Sequence, residues 1–122
     1  MTISWLSPFI CRVHNDPWGE FGHWCPMCRE LHVIAVAQPN PSKARWTFDG
    51  NLMRPTFSPS INECTGPFPD GRIEVCHYFL RAGVIEYCGD CTHEGRGQHI
   101  PLPPIPERWS SFSPPYRDPE GA

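Results

Sequence analysis

Two Cys-x-x-Cys pairs, Cys25-Pro-Met-Cys28 and Cys88-Gly-Asp-Cys91, constrain this chain more than any other feature. Cysteines three positions apart can direct both thiolates at one point, as each half of a tetrahedral zinc site requires. Cys76-His77 lies shortly before the second pair, and Thr92-His93 follows it directly. Five cysteines and two histidines therefore compete for about four coordination positions. The sequence predicts a Zn²⁺ site.

Composition bounds the class of protein. The chain has 122 residues, of which 16 are proline and 10 glycine, so it is one small domain for which a structural metal is a useful staple. The net charge of -3, without a basic run, argues against binding to duplex DNA. The cysteine count of 7 is odd, and residues 1–10 lack a signal-peptide pattern. We therefore predict a cytoplasmic protein of a bacterial host cell, with reduced, metal-bound thiols and no membrane segment.

Short β-rich runs separated by turns predict a small all-β fold, with β-hairpins around a zinc-ribbon-like metal site and irregular, proline-rich termini. Residues 1–23 are predicted as an irregular N-terminal arm, 24–102 as the zinc-binding β domain and 103–122 as a proline-rich tail. Asp49-Gly50 predicts a turn after a strand at 45–48, and a hairpin if 51–54 pairs back across it. Two prolines over 55–61 favour extended chain outside a central strand. No helix is predicted.

The clearest element is a hairpin formed by 73–80 and 84–87, and its register selects ligands. With a two-residue turn at Ala82-Gly83, His77 faces Cys88 and shares its side of the hairpin. Cys76 then lies on the other side. We predict Cys25, Cys28, His77 and Cys88 as the metal ligands, with Cys91 next because it completes the second pair. A one-residue slip in register would exchange His77 for Cys76.

The remaining polar residues predict no catalytic site. Neither a Ser-His-Asp spacing nor a phosphate-binding loop is recognised, and no catalytic residue is assigned. If the protein is an enzyme, His93 beside the metal is the candidate general base and Asp90 its orienting partner, near the hydroxyls of 56–60. The favoured interpretation is that Asp90 and His93 steady the Cys88–Cys91 loop. His32 is a lesser candidate for a metal ligand.

Several motifs occur in an order that resembles the pattern of a family of short phage and prophage proteins of unknown function. These proteins often carry the label "ammonia monooxygenase". The motifs are Cys25-Pro-Met-Cys28 with His32, Trp46-Thr-Phe-Asp-Gly50, Arg54-Pro-Thr-Phe-Ser-Pro-Ser-Ile61, Cys76-His-Tyr-Phe-Leu-Arg-Ala-Gly83, and Gly89-Asp-Cys-Thr-His93 with Gly97. The resemblance covers roughly residues 24–102 and implies a phage or bacterial cytoplasmic protein with a zinc-ribbon-like site. It implies no oxygenase chemistry, and it favours Cys91 over Cys88 as a ligand.

These observations lead to one function hypothesis and two alternatives. The hypothesis is a non-enzymatic, zinc-stabilised binding module of phage or prophage origin that engages a host or phage protein, in takeover or counter-defence. The first alternative is a metal-assisted hydrolase using His93 and Asp90 near the zinc. The second is a single-stranded nucleic-acid binder with an aromatic stacking surface formed by Trp46, Phe48, Phe57 and Tyr78.

Overall fold

The computed structural model describes residues 2–14 and 20–107, and within these ranges the chain forms nine β-strands and no helix. The all-β prediction is therefore confirmed. No helix long and apolar enough to cross a membrane occurs in the part of the chain described. The strands are β1 (Thr2–Trp5), β2 (Cys11–His14), β3 (Phe21–Cys25), β4 (Glu30–Ile34), β5 (Thr47–Phe48), β6 (Phe57–Thr65), β7 (Glu74–Arg81), β8 (Val84–Tyr87) and β9 (His99–Pro101).

Strands β1 to β4 form an antiparallel sheet in chain order, and three of them include part of the 1–23 arm predicted to be irregular. The prediction is wrong for β1, β2 and the start of β3, and Pro8 lies in the bend between β1 and β2, where it interrupts no strand. The Cys25–Cys28 pair spans the turn that joins β3 to β4. The predicted tail falls mainly on residues 108–122, which lie outside the described ranges.

Strands β5 to β9 form the second antiparallel sheet, again in chain order. The β7–β8 hairpin pairs Tyr78 with Tyr87 and Arg81 with Val84, which is the predicted register. The hairpin predicted at Asp49-Gly50 does not form, because β5 pairs with β6 instead of with 51–54. The Asp49 carboxylate accepts the backbone N–H groups of Asn51 and Thr56, so 49–56 is held as a compact loop.

Strand β6 lies between β5 and β7, although its proline argued against a central strand. The ladder accommodates Pro59 in a bulge. Phe57 pairs with Leu80 and Ile61 with Tyr78, so three residues of β6, 58–60, stand opposite the single Phe79. Proline donates no ladder hydrogen bond, and a bulge is where a strand tolerates it.

The two sheets share one apolar core, which joins Phe21 and Ile34 of the first sheet to Phe57, Tyr78 and Leu80 of the second. Side chains alternate between the faces of a strand. On β7, the residues at 76, 78 and 80 therefore point into this core, and those at 77 and 79 point away from it.

Candidate functional site

Two neighbouring residues of β7 belong to two different polar sites on opposite faces of the second sheet. Cys76 points inward and is 2% exposed. His77 points outward, and its side chain is 26% exposed. The inner site is a cluster of possible metal ligands, and the outer site is a chain of hydrogen bonds.

The inner site brings together Cys25, Cys28, His32 and Cys76, whose ligand atoms all lie within 4.8 Å of one another. Cys25 and Cys28 come from the β3–β4 turn, His32 from β4 and Cys76 from β7. Three thiols and one imidazole form a donor set typical of a closed, tetrahedral zinc site. An ion held here would tie the two sheets together.

A relay of hydrogen bonds fixes how His32 faces this cluster. His23 Nδ1 lies 3.3 Å from the Trp24 carbonyl, which can only accept, so His23 Nε2 accepts from the Tyr78 hydroxyl at 2.6 Å. The Tyr78 oxygen then accepts from His32 Nδ1 at 2.8 Å. Burial lowers the pKa of His23 to about 3, with His32 adding to the effect, and burial raises the pKa of Tyr78. Both groups are therefore neutral, as the relay requires.

The relay leaves the other nitrogen of His32 free for a metal. His32 Nε2 is buried and has no hydrogen-bond partner among the described residues. The Glu30 carboxylate lies 3.7 Å from it, beyond hydrogen-bonding distance. A buried polar atom without a partner costs free energy unless something binds it. A cation at Nε2 would meet that need, and Tyr78 is the kind of outer group that orients a metal-bound histidine.

The protonation of the cluster also fits a cation. Hydrogen bonds from the Cys28 and Cys76 thiols lower the pKa of Cys25. The same bonds raise the pKa of Cys28 and of Cys76, since their own ionisation beside the Cys25 thiolate is opposed. Burial alone would lower the pKa of His32, but the Cys28 thiol, Glu30 and the Cys25 charge outweigh it and raise the pKa. The residues thus share protons that a divalent cation would replace.

Further groups steady the thiols from outside. The Tyr87 hydroxyl lies 3.1 Å from Cys25 Sγ, and the Cys28 backbone N–H donates to the same sulfur at 3.4 Å. His93 Nδ1 accepts the Gly95 N–H, so the proton lies on Nε2, which donates to Cys76 Sγ at 3.3 Å. His93, the general base predicted if the protein is an enzyme, therefore lies against the inner cluster.

An acidic cavity adjoins the inner cluster. It has a volume of about 210 Å³, and its walls include Cys28 and Cys76 together with Glu30, Glu63 and Glu74. Burial raises the pKa of Glu63, and the opposing charge of His32 limits the shift. Carboxylates around the mouth of a site attract cations. The cavity offers an entry path for a metal ion.

The outer site contains the hydrogen-bond order of a Ser-His-Asp triad. Ser60 Oγ lies 3.1 Å from His77 Nε2. His77 Nδ1 lies 3.1 Å from each carboxylate oxygen of Asp90. A carboxylate only accepts, so the ring proton lies on Nδ1, and Nε2 is left to accept the proton of the Ser60 hydroxyl. This arrangement can activate a serine as a nucleophile.

Local structure explains how three distant residues meet. Ser60 lies in the β6 bulge opposite Phe79. β-Bulges often occur next to functional sites, where they change the direction of a side chain. Asp90 lies in the loop after β8, and this loop is tied to β7. Cys91 Sγ lies 3.2 Å from the His77 N–H and 3.1 Å from the His77 carbonyl. Thr92 bonds Val75 through both its N–H and its hydroxyl.

The ligands predicted from the sequence are divided between the two faces. Cys25 and Cys28 belong to the inner cluster. His77 and Cys88 meet on the outer face with Asp90, their ligand atoms within 4.8 Å of one another. Cys91 is hydrogen-bonded to the backbone of His77. The hairpin register was as predicted, but the Cys25–Cys28 turn lies against the opposite face of the hairpin, so Cys76 is its neighbour.

Three residues of these sites were missed or given little weight. Cys76 is among the seven competing donors but was ranked behind His77 unless the register slipped, although no slip is needed to bring it to the cluster. His32 could have been found from its position four residues after Cys28, since β3 and β4 are adjacent strands of one hairpin. Ser60 gave a weak signal among several hydroxyls, because its contact with His77 depends on a bulge between strands.

Comparison with known families settles membership. Residues 6–88 match the model of a family described as "Bacterial ubiquitination-like system serine protease (BubE)", which spans about two thirds of the chain. The chain belongs to the BubE family. The BubE match includes Ser60, His77 and all four residues of the inner cluster, and it ends two residues before Asp90. Searches of curated proteins and of solved structures return no match.

BubE membership corrects the function predicted from the sequence. The hypothesis of a non-enzymatic binding module is wrong, because the family is one of serine proteases. The two alternatives, a metal-assisted hydrolase and a single-stranded nucleic-acid binder, are likewise not supported, because the family description names a serine protease. The family match concerns a bacterial ubiquitination-like system and supports neither the phage resemblance nor the "ammonia monooxygenase" label.

Proposed function

We propose that this protein is a serine protease in which Ser60 is the nucleophile, His77 the general base and Asp90 the group that orients His77. The observation that carries the proposal is the continuous hydrogen-bond chain from the Ser60 hydroxyl through both nitrogens of His77 to the Asp90 carboxylate. Family membership supports the same chemistry independently, because it rests on sequence and not on these distances.

The geometry accounts for each proton transfer. Ser60 Oγ attacks the carbonyl carbon of the scissile bond while its proton passes to His77 Nε2. His77 then donates that proton to the departing amine, which leaves an acyl ester on Ser60. A water molecule gives a proton to His77, attacks the ester and releases the acid, and Ser60 regains its proton. Asp90 remains ionised throughout and stabilises the cationic imidazole.

We further propose that the substrate is a protein of a bacterial ubiquitination-like system. The family description supports a protein partner. The position of the triad supports it as well, because the His77 and Asp90 side chains are 26% and 58% exposed on the outer face of the sheet. An outward-facing triad is accessible to a chain segment of a large substrate.

The inner cluster is proposed to hold one Zn²⁺ through Cys25, Cys28, His32 and Cys76. Four protein ligands close the coordination sphere, and such sites stabilise the fold. The buried Nε2 of His32 and the relay that orients it support this ligand set. When bound, the ion would supply the cross-link between the β3–β4 turn and β7. A cytoplasmic location is proposed with it, because a reducing compartment keeps cysteine thiols available as metal ligands.

Labelling with a fluorophosphonate probe tests the serine chemistry. The probe phosphonylates an activated serine and needs no knowledge of the natural substrate. We expect wild type to be labelled at Ser60, as located by peptide mass spectrometry, and Ser60→Ala and His77→Gln to lose the label. Ser58→Ala is the matched control, because Ser58 is exposed on the same strand two residues away. Labelling of another serine, or unchanged labelling of Ser60→Ala, would remove the proposal.

Elemental analysis with zinc X-ray absorption tests the metal site. We expect one Zn²⁺ with three sulfur ligands and one nitrogen ligand in protein purified without added metal. His32→Ala and Cys76→Ser should lose the ion, whereas Cys64→Ser, at an exposed cysteine, should keep it. The ligand set predicted from the sequence requires loss of the ion in Cys88→Ser and Cys91→Ser instead. That pattern would reject the inner cluster.

A further inference from the structure

We propose that His77, Cys88 and Asp90 form a second metal site on the outer face, which binds a thiophilic divalent cation such as Zn²⁺ and thereby inhibits the enzyme. One ring nitrogen, one sulfur and one carboxylate oxygen lie within 4.8 Å of one another. This mixture of donors suits Zn²⁺, and three protein ligands leave one position for water. The inhibitory role rests on the proposed function, whereas the metal site itself does not.

Cys88 is well placed for this role. Its backbone N–H donates to the His77 carbonyl at 2.8 Å, so the two residues are held opposite each other at the end of the β7–β8 hairpin. The Cys88 thiol takes no part in the hydrogen bonds of the triad. It is half-buried, so an ion from solvent can reach it. Burial and the Asp90 charge raise the pKa of Cys88, so the ion must displace a thiol proton when it binds.

Binding of a metal at this site is incompatible with the triad. Catalysis needs the lone pair of His77 Nε2 to accept the Ser60 proton. It also needs the Nδ1–H group to remain hydrogen-bonded to the Asp90 carboxylate. An ion bound at Nε2 removes that lone pair. An ion bound at Nδ1 leaves the ring proton on Nε2, which then cannot accept the Ser60 proton, and the ion separates the ring from the carboxylate. Either mode stops proton transfer, so occupancy and activity exclude each other.

The outer site differs from the inner cluster in ways that make it reversible. The inner cluster has four ligands, of which Cys25, Cys76 and His32 are at most 2% exposed. The outer site has three, and its Asp90 side chain is 58% exposed. With fewer ligands and more water, the outer site should bind more weakly. The second ion should therefore enter only after the inner cluster is filled, and a mild chelator should remove it alone.

Counting bound ions tests the site without reference to activity. Protein that carries its purified metal would be dialysed against micromolar Zn²⁺ and the ions per chain measured. We expect one additional ion in wild type and in Cys64→Ser, the exposed-cysteine control, and none in Cys88→Ser or Cys88→Ala. No additional ion in wild type, or retention of it in both Cys88 variants, would overturn the proposal.

Zinc titration of fluorophosphonate labelling then tests inhibition, with each variant compared with its own rate in zinc-free buffer. We expect added Zn²⁺ to slow the labelling of Ser60 in wild type, a mild chelator to restore it, and Cys88→Ser to need at least about tenfold more zinc, as expected for the loss of one ligand interaction. Equal sensitivity in wild type and Cys88→Ser would reject an inhibitory role for this site. Absence of Ser60 labelling in zinc-free buffer would instead reject the proposed serine chemistry and leave the ion count to judge the metal site.

Discussion

Replacing Asp90 with asparagine tests how the candidate triad works, because it changes one functional group and little volume. Asp90 accepts the Nδ1–H of His77 with both carboxylate oxygens, each 3.1 Å away. An asparagine can place its NH₂ group against Nδ1, which favours the tautomer with the proton on Nε2. In that tautomer His77 cannot accept the Ser60 proton, and the positive charge that develops on the ring loses its carboxylate.

The structure sets the expected size of the effect. The corresponding substitution in a buried triad lowers kcat by about 10⁴-fold. Here the Asp90 side chain is 58% exposed, so water screens its charge and an asparagine amide is free to rotate. We therefore expect kcat to fall by about 10²- to 10³-fold, or about 3 to 4 kcal/mol of transition-state stabilisation. KM should change little, because Asp90 orients the base and does not bind the substrate.

The assay is the rate of fluorophosphonate labelling at neutral pH, followed by kcat and KM once a protein substrate is in hand. Asp70→Asn serves as the control, since Asp70 is an exposed aspartate in the loop between β6 and β7. An unchanged thermal transition in both variants would show that folding is not the cause. If Asp90→Asn reacts as fast as wild type, Asp90 does not orient His77 and the reasoning is refuted.

Three further predictions concern the inner cluster. A strong chelator should abolish the cooperative thermal transition, reversibly on adding Zn²⁺, because structural zinc contributes about 10–16 kcal/mol in small domains and exceeds their usual net stability. Tyr78→Phe removes the hydroxyl that orients His32, and competition with a chromophoric chelator should show affinity for Zn²⁺ reduced about 10- to 100-fold. The pKa of His23 is lowered to about 3 by burial, so below its unfolded pKa near 6.5 the unfolded chain binds a proton that the folded chain does not. Stability should thus decrease by about 2 kcal/mol between pH 6.5 and 5, and urea denaturation should show a smaller decrease in His23→Gln.

The sequence was sufficient to predict those structural features that depend on residues close together along the chain. The β7–β8 hairpin formed in its predicted register because a two-residue turn and alternating apolar residues fix it locally. Strands β1 to β3 of the first sheet were missed because they are only four or five residues long and lie among prolines and glycines that also mark irregular chain. In the structure Pro8 lies in the bend between β1 and β2, whereas Gly22 lies within β3.

The sites needed information that no local pattern contains. Alternation along β7 shows that Cys76 and His77 lie on opposite faces, but it does not show which face meets the Cys25–Cys28 turn. That depends on how one sheet packs on the other. Ser60 likewise reaches His77 only because β6 bulges opposite Phe79, a consequence of pairing between segments distant in the sequence. The residue types indicated which chemistry was possible, but the sequence did not show which of these residues contact one another.

The alternation of β7 suggests why a serine protease of this size would carry a structural metal. A catalytic base must be held close to its productive position, which requires a rigid support. A small, proline-rich core provides little rigidity by itself. Cys76 is adjacent to His77 and points into the inner cluster, so an ion there would fix the backbone of β7 one residue from the base. On the other side, Cys91 bonds the N–H and carbonyl of His77 and carries Asp90 beside it in the chain. The metal would thus fix the residue before His77, and the Cys91 thiol fixes the backbone of His77 itself.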